Sequence, residues 1–149
     1  MRKTTLIAFL SLTVLVSLLT GCGGTKTPPV SERIAKVWTA NKIEWDNVTV
    51  YTKGATSNPQ PGYSNYRLDL SAPPTVSNTE FEGSKFTGQY SVPTETSLVL
   101  SNLTPPPTGD NGTIEFTINS ISDSELVITR TKTSQKTGNK IVKYTLSNP

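Results

Sequence analysis

Hydrophobic residues fall on every second position through much of this chain. Tyr66, Leu68 and Leu70 alternate with Arg67 and Asp69, and Ile114, Phe116 and Ile118 alternate with Glu115 and Thr117. A strand sends successive side chains to opposite faces, so this period predicts strands with one buried and one wet face. The same rule predicts a strand carrying Phe86, Gly88, Tyr90 and Val92 on one face, and another with Leu98 and Leu100 inward. It predicts one led by Leu126, Val127 and Ile128, and a last one burying Val142, Tyr144 and Leu146. Weaker strands are expected from Trp38 to Trp45, from Val48 to Tyr51 with Val48 and Val50 on one face, and from Val76 to Phe81. Turn signals separate them. Asp46-Asn47 suits a tight hairpin, residues 53–64 carry Gly54, Pro59, Pro61 and Gly62, and Pro73-Pro74 and Glu82-Gly83-Ser84 stop their strands. Residues 105–112, 119–124 and 135–139 are polar or Pro/Gly-rich breaks. A helical period occurs once, where Ile34, Val37 and Trp38 share a face of a short helix over residues 32–37 that Ser31 would cap. Gly88, inside a strand, marks a bend or a close backbone approach. About eight short strands with short connections predict an all-β domain, an up-and-down antiparallel meander closed into a small barrel rather than a sandwich, with a short N-terminal helix.

The first residues follow a different pattern. Arg2 and Lys3 precede an uncharged apolar run over residues 6–19, and Leu19-Thr20-Gly21-Cys22 follows it. A basic start, an apolar middle and small residues at a cut site are the layout of a secretion signal. The run is shorter than the roughly 20 residues a membrane-spanning helix needs. The Leu-Thr-Gly-Cys ending resembles the bacterial lipobox, and that resemblance implies cleavage before Cys22 and acylation of its thiol. Several acyl chains anchor firmly where one binds reversibly, because each buried CH₂ contributes roughly 0.8 kcal/mol. Cys22 is the only cysteine, so it has no disulfide partner within the chain. Residues 1–21 are thus expected to be a lipoprotein signal peptide, 22–30 a lipidated cysteine and a flexible tether, and 31–149 the β domain.

Composition narrows the chemistry. Fourteen Lys and Arg against eleven Asp and Glu give a formal charge of +3, and loss of Arg2 and Lys3 with the leader lowers it to +1. No basic stripe exists for nucleic acid. Histidine is absent, which removes the commonest metal ligand and the usual proton shuttle. No cofactor or metal is implied.

The matching stretches resemble a family. They are residues 34–50 around Trp38, Tyr66-Arg67-Leu68-Asp69-Leu70, Phe86-Thr87-Gly88-Gln89-Tyr90-Ser91, Ser97-Leu98-Val99-Leu100, and residues 121–128, Ile-Ser-Asp-Ser-Glu-Leu-Val-Ile. Together with the lipobox and a short linker, they resemble the lipocalin-like lipoproteins of Bacteroidetes-type bacteria. The resemblance implies a lipocalin-like barrel with a cup. It departs from secreted lipocalins in having Lys36-Val37 before Trp38 rather than a Gly-x-Trp, and in having no disulfide.

Several residues are candidates for the cup or for a filled core. Trp38, Tyr66, Leu68, Phe86, Tyr90, Phe116 and Tyr144 fall on inward faces, where core packing is the ordinary role. Trp45 and Tyr63 are expected near the rim, Trp45 packing against the loop of residues 53–64, with Tyr63, Tyr66 and Tyr90 as a candidate aromatic patch. Glu80 and Glu82, two apart, would share a strand face, and a solvated face is expected rather than glycosidase chemistry. Asp110-Asn111-Gly112 lacks the ligand ladder of a calcium loop and reads as a turn. Asn47, Asn102 and Asn111 head sequons that are chance matches in a Thr-rich chain.

The expected function is a non-enzymatic, lipid-anchored cell-envelope protein. Two forms of it are open: a barrel cup holding a small apolar or amphipathic ligand, or a structural or interaction lipoprotein with a filled core. A small carboxylate-based hydrolase is the third reading. The expected partners are the membrane, through lipid on Cys22, and either a small apolar ligand or an envelope protein, the protein itself being a monomer. Gly23 follows the cysteine and no acidic cluster comes after it, so the expected location is the outer membrane facing the periplasm, with the cell surface as the alternative.

Overall fold

A computed structural model describes residues 26–149. The leader, the lipobox and Cys22 lie outside the described residues. A single turn of helix, α1 (Val30–Arg33), leads into β1 (Val37–Trp45) and β2 (Val48–Thr52). Then follow β3 (Arg67–Ala72), β4 (Thr75–Thr79), β5 (Lys85–Thr94), β6 (Ser97–Thr104), β7 (Ile114–Ile121), β8 (Glu125–Arg130) and β9 (Val142–Ser147). All pairings are antiparallel between neighbours in the order β2-β1-β3-β4-β5-β6-β7-β8-β9, and β1 also pairs with β9. That last pairing closes eight strands into a barrel and leaves β2 as an extra strand.

β1 makes closure and the extra strand compatible. One of its edges pairs with β9 from Thr39 to Trp45. The other edge is shared: Val37, Trp38 and Thr39 face β3, while Lys42 to Trp45 face β2. The barrel wall therefore has a gap where β2 and β3 part, and the segment between them fills it. A 3-10 turn, Pro61–Asn65, drives Tyr63 into the gap. The same segment covers the free edge of β2. The Gln60 N–H donates to Val50 O at 3.0 Å, and the Asn58 side chain accepts from Thr52 N at 2.8 Å while donating to Thr52 O at 3.1 Å. An uncovered edge strand invites pairing with another chain, and this one is blunted by its own loop.

The inward faces follow the two-residue period. Leu126 faces Leu146, Ile128 faces Tyr144, Leu98 faces Phe116, and Tyr90 faces Leu100 across neighbouring strands. These side chains join Ile34, Trp38 and Ile43 in one continuous buried cluster. Gly88 is required by a close approach, because a Cβ there would sit 2.5 Å from the Ser101 carbonyl oxygen of β6.

Three local expectations are corrected. The helix is Val30–Arg33, not residues 32–37, and no Ser31 side chain caps it; Pro29 takes the cap position. Strand pairing of Val37 and Trp38 with β3 ends the helical path early. Val48 and Val50 do not share a buried face. A bulge at Ile43/Glu44 shifts the β1–β2 register, so Val50 and Tyr51 are both buried while Val48 is 65% exposed. The Asp46-Asn47 turn forms as expected, both residues having positive φ, 47° and 68°, as a two-residue hairpin of matching twist requires.

Candidate functional site

The two ends of the barrel are closed by different chemistry. One end is capped by α1. Ile34 and Trp38 are fully buried there, and the Trp38 indole N–H donates to Ile34 O at 2.9 Å. Arg33 and Lys36 tie the cap to the far side of the barrel by donating to the carbonyls of Ile121 and Asp123. Tyr90 points its hydroxyl to Leu70 O at 2.9 Å. The side chains of Arg33, Lys36, Trp38 and Tyr90 all donate to backbone carbonyls.

The opposite end is a polar plug, built from the 3-10 turn, the β4–β5 turn, the β6–β7 loop and the β8–β9 connection. Arg130 is the last residue of β8. It follows Leu126 and Ile128 on the inward face, so strand geometry carries a guanidinium into the barrel. Asp110, from the β6–β7 loop, accepts from Arg130 Nη2 at 2.6 Å; both side chains are buried. Lys136, in a second 3-10 turn (Gln135–Thr137), donates to Glu80 at 2.6 Å and also to Glu82, and lies 4.8 Å from the Phe86 ring centroid. Inside this ring of charge sits an aromatic layer. Tyr63 stacks on Phe81 at 4.8 Å and lies edge-on to Trp45 and Tyr144. Tyr66 lies 4.9 Å from Tyr144, which meets Phe116 edge-on. The Trp45 indole N–H donates to the Tyr63 hydroxyl at 2.9 Å.

A void remains within the plug, lined by Tyr63, Tyr66, Glu80, Phe81, Arg130, Ser134, Thr137 and Tyr144. Its free volume is about 10 Å³. Burial sets its electrostatics. It pushes the phenols of Tyr63, Tyr66 and Tyr144 well above their ordinary range, so all three stay neutral. Burial also raises the Glu80 carboxyl, an effect that Lys136 offsets only in part. For Glu82, burial is the largest single influence, but the hydrogen bond and charge of Lys136 together with hydrogen bonds from its own backbone N–H and Ser84 outweigh it, and its carboxyl falls below the usual range. Asp110 and Arg130 neutralise each other, as do Lys136 and its two carboxylates in part. Groups arranged this way can satisfy one another and hydrogen-bond a small neutral molecule.

The sequence candidates are distributed unevenly over these two ends. Trp38 lies at the helix-capped end and Tyr90 nearby, away from Tyr63 and Tyr66, which meet at 6.3 Å. The three tyrosines do not form one patch. Leu68, Phe86 and Phe116 are buried in the barrel wall. Trp45 is half-buried against the loop that carries Tyr63, while Tyr63 itself is 1% exposed and is a plug, not a rim residue. Glu80 and Glu82 do not share a solvated face. They lie beyond the end of β4, and the turn places Glu80 inside the plug at 7% exposed. Asp110 lies in a turn, as expected, and also holds Arg130. The hydrophobic pattern gives no site role to Arg130, Lys136, Ser134 or Thr137, and gives Asp110 only a place in a turn. Only Arg130 carried a local signal, since it continues the i, i+2, i+4 series of Leu126 and Ile128. Lys136 reaches partners more than fifty residues away in sequence, which only closure of the barrel brings near.

No family model matches the chain, and no curated protein does. Two solved structures resemble it. One is an uncharacterized protein from Bacteroides eggerthii DSM 20697, with a TM-score of 0.47 at 11% identity over 76% of this chain and 98% of that one. The other is a lipocalin-like protein from Bacteroides uniformis ATCC 8492, with a TM-score of 0.51 at 14% identity over 78% of this chain and 99% of that one. At that identity the likeness is one of fold, and with the strand closure described above it makes this domain a lipocalin-like barrel.

Proposed function

We propose that this protein is a non-enzymatic, lipid-anchored cell-envelope protein whose barrel is a filled scaffold, acting on an envelope partner through its outer surface and loops. One observation carries the choice between scaffold and carrier. The inward side chains form one continuous buried cluster, and the void at the plugged end measures about 10 Å³. Pockets for small organic ligands run to about 300 Å³ or more. A carrier would have to expel Tyr63 and break the Arg130–Asp110 pair before its barrel could take an apolar molecule. The plug supports no catalytic reading, because its carboxylates are engaged by Lys136 and Arg130 and its phenols are neutral. The anchor rests on the lipobox sequence around Cys22 and on the tether that follows it.

Native mass spectrometry of the protein purified from its own host tests the scaffold. The expected result is the mass of the polypeptide and its acyl chains alone. A stoichiometric small molecule that survives in the gas phase, and is lost when Tyr63 is replaced, would overturn it in favour of a carrier. The anchor is tested separately with Cys22→Ala, which is expected to move the protein from the membrane fraction to the soluble one. Continued detergent-sensitive membrane association of that variant would remove the lipid reading.

A further inference from the structure

The void in the plug is lined by Tyr66 and Arg130, and each carries a buried polar atom, the Tyr66 hydroxyl and Arg130 Nε, with no hydrogen-bond partner among the described residues. The two residues are 2% and 4% exposed. A buried donor left unpaired loses more than an ordinary hydrogen bond returns, and native folds carry few of them. Two such atoms on residues that line one void point to a bound partner there.

The void limits what that molecule can be. A free volume of about 10 Å³ accepts the centre of one water-sized group and no more. Charge limits it further. Arg130 is already held by Asp110 through Nη2, and Lys136 lies between Glu80 and Glu82. Two cations therefore stand against three carboxylates, so there is no surplus positive charge to hold an anion. A small cation would face Arg130 directly. What fits is a neutral group of one heavy atom that both accepts and donates.

We propose that a single water molecule is bound in this void as part of the plug. Its oxygen accepts the Arg130 Nε–H and the Tyr66 hydroxyl proton. Its own hydrogens turn toward Glu80 and Ser134, which line the same void. A buried water with three or four such partners is held as firmly as a side chain. It makes the plug a continuous hydrogen-bonded layer from the β4–β5 turn to the end of β8. The inference depends on the plug alone and stands whether the barrel is a scaffold or a carrier in its closed state.

The sign of a stability change tests it. If the void is wet, Tyr66→Phe removes one partner of the water and lowers Tm by about 3–5 °C, the shift expected for one buried hydrogen bond in a domain of this size. If the void is dry, the same variant removes an orphaned hydroxyl and leaves Tm unchanged or raises it. A crystal structure at a resolution that shows ordered solvent supplies the second readout. Density for one water between Tyr66 Oη and Arg130 Nε is expected. Either an empty void, a direct Tyr66–Arg130 hydrogen bond, or a Tyr66→Phe variant at least as stable as the parent overturns the proposal.

Discussion

The two ends of this barrel solve one problem in opposite ways. A closed sheet must seal its ends against water. At the helix-capped end, Ile34 and Trp38 seal it with apolar volume, and Arg33, Lys36 and the Trp38 indole bond to backbone carbonyls. At the plugged end, side chain meets side chain: Arg130 with Asp110, Lys136 with Glu80 and Glu82, Trp45 with Tyr63. The apolar seal depends on volume and tolerates no cavity. The polar seal depends on every group finding its partner, so its weakness is the loss of one member, not the loss of bulk.

The largest effect should come from emptying the apolar seal. Trp38→Ala removes the biggest fully buried side chain and frees the Ile34 carbonyl. A cost of about 4–5 kcal/mol is expected, in the upper range for buried aromatic truncation. Urea denaturation would show it as a lowered midpoint at constant slope. A cost below about 1 kcal/mol would mean that the capped end has collapsed around the gap and is less closely packed than the buried cluster implies.

The polar seal should break next. Asp110→Ala leaves the Arg130 guanidinium buried without its carboxylate, and about 3 kcal/mol is expected. The diagnostic step is the pair. Replacing Arg130 with Met and Asp110 with Leu together should recover stability to within about 1 kcal/mol of the parent, since a matched apolar pair often equals a buried ion pair. Recovery would mark the loss as one of partnership. Two losses that simply add would instead assign it to packing, and the contrast between the ends would fail.

Between the two ends, Gly88 tests the wall. Gly88→Ala places a Cβ 2.5 Å from the Ser101 carbonyl oxygen, which is backbone and cannot step aside as a side chain would. The β5–β6 pairing must then shift, at a cost of about 2 kcal/mol. Amide exchange should rise along β5 and β6 first, because those two strands share the displaced contact.

The contrast between the ends also decided what could be read from the chain before folding. The helix of the apolar seal was misplaced by two to four residues, whereas the wall was legible, because a period of two is a local property: Tyr66, Leu68 and Leu70 declare their face within five residues. So was the Asp46-Asn47 turn, whose two positive φ angles suit those residues. The polar plug was mostly illegible. Glu80 and Glu82 look like a solvated strand face, because the pattern does not show that β4 ends at Thr79 and that the turn folds Glu80 inward. Lys136 looks like one more charge on a polar tip, and its partners are set by closure of the barrel. Val48 misled for a third reason. A bulge in the β1–β2 pairing, where Ile43 and Glu44 face Tyr51 and Thr49 and Val50 of β2 is the extra residue, changes the register without any mark in the hydrophobic pattern. Arg130 is the instructive case, because the series Leu126, Ile128, Arg130 placed it inward, and a buried arginine at a strand end asks for a partner.

The smallest effect tests the electrostatics of the plug and has a sign that can be worked out. Burial raises the Glu80 carboxyl above its ordinary value of 4.5, against the pull of Lys136 and Arg130 and with a further push from Glu82. A carboxyl raised on folding binds its proton more tightly in the native state than in the unfolded one. Its contribution to stability is therefore full below the unfolded value and is lost as pH rises through the folded value. At neutral pH the parent thus carries an ionised Glu80 at a net cost. Glu80→Gln stays neutral at every pH, still accepts from Lys136, and leaves Glu82 to pair with that lysine. The variant should match the parent below about pH 4.5, the model-peptide range for the group. It should exceed the parent at neutral pH by up to about 1 kcal/mol. Asp46 and Asp69 shift the other way and lie apart from Glu80, so their loss of stability in acid cancels in the difference between the two curves, whereas Glu82, which shares Lys136 with Glu80, is part of the measured effect. Thermal melts of parent and variant across that pH range would give the difference directly. A variant that is less stable at neutral pH would show that Lys136 more than offsets the burial of Glu80, and that the plug is held by its charges rather than in spite of them.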